Sequence, residues 1–333
     1  MDPLTQGVLG ASLPQACVKG RYGASAGLLG FLAGMSADLD VLIRSETDPL
    51  LFLEYHRQFS HSLVFIPFGG LLCALLLHAL IGRRWGLRFR QGWLFCTLGY
   101  ATHAVLDACT TYGTMLLWPF SEERIAWNTI SIIDPLFTLP LLAGVLLAAR
   151  RKRPVFAQIA VFWACSYMAL GLWQRNNAVD MGEALAASRG HQPMRLEAKP
   201  SFANILVWKI VYETPQRYYV DAVRAGLTPR VYPGESVEKL NIARDMPWLN
   251  LQSQQARDIE RFRWFSNGYI ARDPVFSNRV IDVRYSMIPN EVAPLWSIEL
   301  KPGAQLHQHA AYLVHRNAGG NSLSRMWAMV SGG

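Results

Sequence analysis

The chain has 333 residues, of which 51% are hydrophobic and 17% charged, and its formal net charge is +8. This length leaves room for a membrane part and a separate folded domain. The basic residues form short clusters beside apolar segments and accompany no recognisable nucleic-acid motif, so we expect no nucleic-acid partner. The five cysteines include no CxxC pair, and none follows residue 165, which argues against a disulfide framework or a thiolate zinc site.

Apolar segments in the first half of the chain predict helices that cross a bilayer. Two short stretches, 4–18 and 23–36, contain several glycines that allow close helix packing. Both are near the lower length limit for a span, so they form either two thin spans or a helical hairpin that dips into the bilayer. Four clearer spans, each near the roughly 20 residues that a crossing requires, are 62–82, 92–112, 129–149 and 154–174.

Short basic loops between these segments predict the orientation in the membrane. Lys19 and Arg21, the run 83–90 and the run 150–153 are rich in positive charge, and such loops remain in the cytoplasm. The opposite ends of the helices then face outward. An even number of crossings places the rest of the chain on the same outer, periplasmic side.

The pattern changes after residue 175. Runs of β-branched and aromatic residues predict strands at 204–213, 217–225, 261–271, 280–288, 295–300 and 309–315. The stretch 176–200 is predicted to be a helical connector. The expected fold is an α-helical multi-pass membrane domain over 1–175, followed over 176–333 by the connector and a β-rich (α+β) soluble domain.

Histidines and carboxylates near the predicted outer face indicate a metal site. His103 and Asp107 are four residues apart, so on a helix they lie on the same face and can reach one ion. With His61 and Asp40 they supply four nitrogen and oxygen ligands. The two imidazoles favour a transition metal, so we expect a divalent ion, zinc in the first place, with manganese, iron or magnesium as alternatives.

Neighbouring residues are candidates for the catalytic roles. Asp38 or His56 could act as general base, and both are also candidates for contacts behind the ligands or for a second metal. Arg57 could bind a substrate anion through its planar guanidinium. Ionisable residues at membrane depth are costly, and for this reason they usually have a function.

Each of these residues also has a structural interpretation. His103 and Asp107 could be a buried pair that locks two helices together. Asp38 and Asp40 could end a helix and be solvated, and Asp134 before Pro135 could cap the next helix. Four other histidines are expected to be packed, interfacial or on the surface: His78, His307, His309 and His315.

Several motifs together resemble the YdjM-like inner-membrane metal-dependent hydrolases over residues 1–175. They are Asp2-Pro3-Leu4-Thr5-Gln6-Gly7, Asp38-x-Asp40, His56-Arg57-x-x-Ser60-His61-Ser62, His103-x-x-x-Asp107 and Thr111-Tyr112-Gly113-Thr114. The resemblance implies a multi-pass protein of the bacterial inner membrane with metal-dependent hydrolase activity. The family usually carries a histidine where this chain has Gln6, which puts one ligand of the implied set in doubt. The HxxxD helix is also similar to that of zinc-dependent phospholipase C enzymes.

The leading hypothesis is a membrane-embedded metal-dependent hydrolase that acts on a phosphoester or other ester of a membrane lipid or lipid-linked substrate. Two alternatives remain. One is a non-catalytic scaffold or regulator whose β-rich domain recruits a protein partner. The other is an ion-coupled transporter, although the cytoplasmic ends of the predicted spans lack matching acidic residues.

Overall fold

A computed structural model describes residues 1–226, 228–315 and 322–332, apart from the side chains of Arg21 and Leu323. The chain forms two compact units. The first comprises Met1–Leu42, Tyr55–Trp173 and Phe202–Asn204, and the second comprises Ile43–Glu54, Gln174–Ser201 and Ile205–Gly333. A single long helix passes from the first unit to the second between Trp173 and Gln174, close to the predicted boundary at residue 175.

The first part of the chain is helical. Its helices are α1 (Pro3–Cys17), α2 (Gly23–Ser36), α3 (Leu51–Tyr55), α4 (Ile66–Leu77), α5 (Phe89–Cys109), α6 (Pro135–Arg151) and α7 (Val155–Ser188). A 3-10 segment, Ala37–Leu42, continues directly from α2, and another, Phe59–His61, precedes α4. These two short segments carry several of the predicted site residues.

Three segments among the described residues are long and apolar enough to cross a membrane: Gly23–Leu42, Leu63–Trp85 and Val155–Ser188. They coincide with the predicted segments 23–36, 62–82 and 154–174. The predicted spans 92–112 and 129–149 correspond to α5 and α6. Both are helical, but they are not among the three segments that are long and apolar enough to cross a membrane. Polar side chains interrupt α5, and α6 has only 17 residues.

Glycines bring α1, α2 and α5 into backbone contact, as their small side chains predict. A Cβ at Gly10 would be 2.6 Å from the carbonyl oxygen of Gly30, and one at Gly34 would be 3.0 Å from the Cα of Gly10. A Cβ at Gly99 would be 2.6 Å from the Cα of Gly30. This contact holds α2 against α5, the two helices that position the candidate site.

We expect Gly99→Ala to destabilise the helical unit, because a methyl group in a contact this close forces backbone shifts that cost about 1–3 kcal/mol. Gly23→Ala is the matched control, since a Cβ there meets nothing within 4 Å. Thermal unfolding in detergent should show a lower Tm for Gly99→Ala and an unchanged or higher Tm for Gly23→Ala. Equal Tm values for the two variants would contradict the close contact.

The second part of the chain is rich in β-structure. One antiparallel sheet has the order β1 (Arg195–Pro200), β2 (Val207–Glu213), β3 (Arg217–Arg224) and β4 (Arg230–Glu238). A second antiparallel sheet has the order β5 (Ile270–Arg272), β6 (Arg279–Asp282), β7 (Trp296–Glu299) and β8 (Ala311–Val314). Helices α8 (Ile242–Asp245), α9 (Gln254–Phe265) and α10 (Ser322–Ser331) accompany the sheets.

The two sheets share a core. Val211, Val220 and Val237 of the first sheet belong to one buried cluster with Ala271 and Ile281 of the second. A helical membrane-type region followed by a β-sheet-rich region is therefore confirmed.

Some local predictions in this part were wrong. The predicted strand 261–271 begins inside α9, because Ile259, Phe262 and Phe265 follow a helical spacing and are buried on one face. The predicted connector 176–200 is helical only to Ser188 and then contains β1. Strand β4 was not predicted, since most of its residues are exposed and polar. Residues 227, 316–321 and 333 of the predicted domain lie outside the described residues.

Candidate metal centre

Four side chains from three parts of the first unit converge on one point. Asp38, His61, His103 and Asp107 each offer a donor atom that lies within 4.8 Å of the other three. The Nε2 atom of His61 is 3.5 Å from Asp38 Oδ1 and 3.3 Å from Asp107 Oδ2. The Nε2 atom of His103 is 3.4 Å and 3.6 Å from the same two oxygens.

These four separations are close to those between neighbouring ligand atoms of a small divalent ion. Zinc bonds of about 2.0–2.1 Å to nitrogen and oxygen place neighbouring ligand atoms roughly 3.3–3.4 Å apart. His61 Nε2, His103 Nε2 and Asp107 Oδ2 are buried and have no hydrogen-bond partner among the described residues. Buried polar atoms without a partner are costly, and a shared cation would satisfy all three.

The ring of His103 is oriented by α2. Its Nδ1 atom is 2.6 Å from the carbonyl oxygen of Gly34, near the end of that helix, where carbonyl groups lack helical partners. In the neutral imidazole, donation from Nδ1 to this carbonyl leaves Nε2 without a proton and directed at the centre. Ligating histidines in metal sites are commonly fixed in this way.

The predicted ligand Asp40 lies behind His61 rather than in the set of four. Its Oδ2 atom is 3.2 Å from His61 Nδ1 and accepts hydrogen bonds from the Ser60 hydroxyl and the Arg57 backbone N–H. Its Oδ1 atom is 2.8 Å from His56 Nδ1. Asp40 therefore orients two imidazoles at once, a carboxylate–histidine arrangement typical of metal sites.

His56 lies at the open side of the cluster. A donor atom of His56 is within 4.8 Å of donor atoms of Asp38 and Asp40, and its ring centroid is 6.0 Å from that of His61. The side chains of His56 and Asp38 are 16% and 23% exposed, whereas those of His61, His103 and Asp107 are fully buried. The cluster is thus least buried on the side of Asp38 and His56.

Arg57 is held in place by contacts with other residues of the site. Its backbone has φ 64°, a left-handed conformation that is uncommon for arginine and is found mainly where the surroundings enforce it. Its Nε atom is 2.9 Å from Asp107 Oδ2 without a hydrogen-bond alignment, and its Nη1 atom donates to the Thr110 hydroxyl. The guanidinium carbon lies 4.8 Å from the ring centroid of Tyr112.

The other oxygen of Asp107 binds two groups of the N-terminal segment. The amino group of Met1 donates to Oδ1 at 2.6 Å, and the side-chain amide of Gln6 donates to the same atom at 2.8 Å. Gln6 thus contacts a ligand from behind. The contact between Met1 and Asp107 was not predicted. The only feature of the sequence that points to it is Gln6, which follows Met1 by about one helical turn and binds the same oxygen.

The surroundings of His61 favour positive charge. Burial alone would lower the pKa of its imidazole, but the neighbouring carboxylates of Asp107, Asp38 and Asp40 raise it to about 10. A cation held between the same carboxylates receives the same stabilisation. At His56, burial lowers the pKa below its ordinary value although Asp40 opposes the change, so this imidazole is neutral near pH 7.

The remaining candidate residues lie in other contacts. Asp134 caps α6 by accepting from the N–H groups of Leu136 and Phe137, as its position before Pro135 predicts. The His78 ring packs edge-on against Phe89. In the second unit, His309 contacts Asp258, His315 contacts Ser297, and His307 is exposed.

Comparisons with known proteins identify a family for the first part of the chain. A family model described as YdjM inner membrane protein matches residues 1–178. Inner membrane protein YbcI of Escherichia coli (strain K12) is 44% identical over 85 residues, which are 23% of this chain and 44% of that protein. Uncharacterized protein YfhP of Bacillus subtilis (strain 168) is 27% identical over 123 residues, which are 37% of this chain and 36% of that protein.

The chain covers less than half the length of either relative. No solved structure matches it. The family match spans more than half of the 333 residues and includes the whole convergent cluster, so the resemblance seen in the motifs is confirmed. The chain belongs to the YdjM inner membrane protein family.

Proposed function

We propose that this protein is a metal-dependent hydrolase of the inner membrane. The observation that carries the proposal is the spacing of 3.3–3.6 Å between the imidazole nitrogens of His61 and His103 and the carboxylate oxygens of Asp38 and Asp107. Two imidazoles and two carboxylates at this spacing suit zinc in particular. Asp38 takes the ligand position that the sequence assigned to Asp40.

A divalent ion held by Asp38, His61, His103 and Asp107 would supply Lewis-acid chemistry and, at a coordination position beyond these four ligands, a water of lowered pKa. His56 would act as the proton acceptor of the site, because it is partly exposed and lies beside Asp38. Asp40 holds His56 through Nδ1, which leaves Nε2 as the proton acceptor. Partial exposure of His56 gives the proton a route to solvent.

Arg57 has a positioning role in this proposal. Its guanidinium contacts Asp107 and Thr110, so it fixes the carboxylate of a ligand and balances its charge. This assignment replaces the predicted role of Arg57 as the substrate-anion site.

The position of the site beside apolar helices supports a proposal for the class of substrate. The buried ligands lie on or beside apolar helices, and the partly exposed Asp38 and His56 lie in the 3-10 segment after α2 and in the segment before α4. We therefore propose a phosphoester or other ester of a membrane lipid or lipid-linked molecule. The basic loops support an outer, periplasmic position for the site and the β-rich region, which could also bind a protein partner.

A non-catalytic scaffold is the second candidate, and one observation favours it. Both oxygens of Asp107 already face a positive group, the Met1 amino group at Oδ1 and the Arg57 guanidinium at Oδ2, and the neutral Gln6 amide also donates to Oδ1. A buried carboxylate balanced in this way can fix helix packing without any metal. We place an ion-coupled transporter last, since the acidic ligands cluster at one end of the helices.

Chelation distinguishes the first two candidates. Purified protein loaded with zinc should release phosphate, headgroup or fatty acid from phospholipid vesicles, and EDTA should abolish this release. Added zinc should restore it. Full retention of fold with no turnover of any phosphoester or carboxylic ester would favour the scaffold.

A further inference from the structure

One segment of the second unit joins the two stretches of chain that carry ligands of the metal centre. The chain leaves the first unit after Leu42 and returns to it at Tyr55, and the intervening Ile43–Glu54, here called the linking segment, belongs to the second unit. Asp38 lies just before the linking segment, and His61 lies shortly after it. Contacts that this segment makes within the second unit therefore restrain the chain on both sides of it.

Arg261 of α9 holds the linking segment near its middle and at its end. The Nη1 and Nη2 atoms of Arg261 donate to the two carboxylate oxygens of Asp48 at 2.9 and 2.8 Å. Its Nε atom donates to a carboxylate oxygen of Glu54, the last residue of the segment. A guanidinium that binds a carboxylate through two parallel hydrogen bonds makes a strong and directional contact. One side chain thus fixes two points of the segment.

Arg261 is itself held by a buried carboxylate. Asp258, which precedes it by about one turn of α9, is fully buried and accepts from Nη1 of Arg261 at 3.1 Å. The other oxygen of Asp258 accepts from the backbone N–H of Ala310 at 2.9 Å and lies 3.0 Å from Nδ1 of His309. Because the guanidinium is fixed in place, its contacts avoid much of the ordering cost that makes exposed ion pairs weak.

Apolar side chains of the linking segment are also packed. Leu50 and Leu53 are buried, and the ring of Phe52 lies edge-on to that of Tyr312 on β8, with the ring centroids 5.0 Å apart. This ring contact, like the ion pairs of Arg261, lies within the second unit. The linking segment is therefore packed as part of the β-rich unit, unlike an ordinary mobile loop.

The stretch that carries Asp38 needs such support. Leu39 and Leu42, in the same 3-10 segment, are 62% and 74% exposed. Packing against other parts of the chain therefore fixes this stretch weakly. A metal site needs its donor atoms to be held within about 0.5 Å of their productive positions. Holding the segment that follows directly restricts where the carboxylate of Asp38 can lie.

We propose that Arg261 is a positioning residue for the metal centre. It acts through Asp48 and Glu54 and not on a ligand. By holding the linking segment, it keeps Asp38 and His61 at the spacing that the ion requires. The β-rich unit is then part of the support of the centre, and the affinity for the ion depends on that unit. This inference rests on the metal centre of the proposed function.

Metal affinity and a cobalt spectrum test the proposal with the full chain. Arg261→Ala should bind zinc about tenfold more weakly than the original chain, at the lower end of the losses that follow removal of a contact behind a ligand, because Arg261 acts from further away. In protein loaded with cobalt in place of zinc, the visible absorption bands report the ligand geometry, and they should change in this variant. A residue that only stabilises the β-rich unit would lower the Tm and leave the spectrum unaltered.

Arg263→Ala is the matched control, because Arg263 lies on the same helix and pairs with Glu260 of that helix. It should leave the affinity and the spectrum unchanged. Glu54→Ala is a second test variant. Glu54 is partly exposed, and its removal leaves Arg261 paired with Asp48, so this variant should fold. It should weaken zinc binding and change the cobalt spectrum in the same direction as Arg261→Ala.

The outcomes separate this inference from the proposed function. Unchanged affinity and spectrum in Glu54→Ala or in a folded Arg261→Ala would overturn the positioning role, as would an equal loss in Arg263→Ala. If Arg261→Ala does not fold, Glu54→Ala decides. If the original chain binds neither zinc nor cobalt, the metal centre is wrong and this inference fails with it. If it binds both ions and hydrolyses no ester, the proposed hydrolase fails and the role of Arg261 stands.

Discussion

Replacing both His61 and His103 by alanine is expected to lower the zinc content of the purified protein from about one ion per chain to background. The two imidazoles supply both nitrogen donors of the cluster, and within the described part of the chain their Nε2 atoms have no hydrogen-bond partner. The remaining ligands are Asp38 and Asp107, and Asp107 also faces the positive charge of Arg57. Two carboxylates in that environment hold a transition metal poorly. Elemental analysis after dialysis against trace zinc measures the change.

His307→Ala serves as the matched control, because His307 is exposed and lies in the second unit. It should leave the zinc content unchanged. Circular dichroism and gel filtration of the double variant exclude unfolding as the reason for the loss. If the double variant retains as much zinc as the control, the ion is bound elsewhere and the assignment of the centre is wrong.

The sequence predicts much of this centre. The spacing of His103 and Asp107 identifies one helical face, and His61 is the histidine that completes it. The choice between Asp38 and Asp40 cannot be read from spacing. Both lie in a 3-10 segment, where residues two apart point about 240° apart around the axis, so only the packing decides which one enters the cluster.

Contacts between site side chains and distant backbone groups could not be predicted from spacing either. The carbonyl oxygen of Gly34 sets the orientation of His103 across 69 residues, and the amino group of Met1 reaches Asp107 across 106 residues. In each of them the partner of the motif side chain is a backbone group, which no motif identifies. The glycines of α1 and α2 did predict close packing, because small residues are needed wherever helix backbones meet.

The β-rich region shows a different limit. Val207–Glu213 is buried along its whole length, and its run of apolar and aromatic residues predicts a strand. Gln254–Phe265 carries aromatic residues that fit either a strand or a helix over a few positions. This segment is a helix because one helical face is buried against the rest of the domain. A short window of sequence does not show which face will be buried.

His56→Ala should reduce hydrolysis by about 10²–10⁴-fold while leaving the zinc content unchanged. This imidazole lies outside the group of four donor atoms, and Asp40 orients it from behind. The variant therefore loses proton transfer and keeps the ion. Turnover of the lipid ester or phosphoester that the zinc-loaded protein hydrolyses, measured beside zinc content in the same samples, separates the two effects.

Added imidazole provides the decisive comparison for His56. A small base that enters the space left by His56→Ala should restore part of the turnover, whereas it should not rescue a variant in which the fold is damaged. Asp40→Asn should lower both turnover and zinc affinity, because Asp40 contacts His61 as well as His56, and affinity losses of about 10–100-fold are typical for such supporting carboxylates. Full activity in His56→Ala, or loss of zinc together with activity, would show that His56 does not act as the base. In the second case His56 would instead belong to the metal ligands, in the group it forms with Asp38 and Asp40.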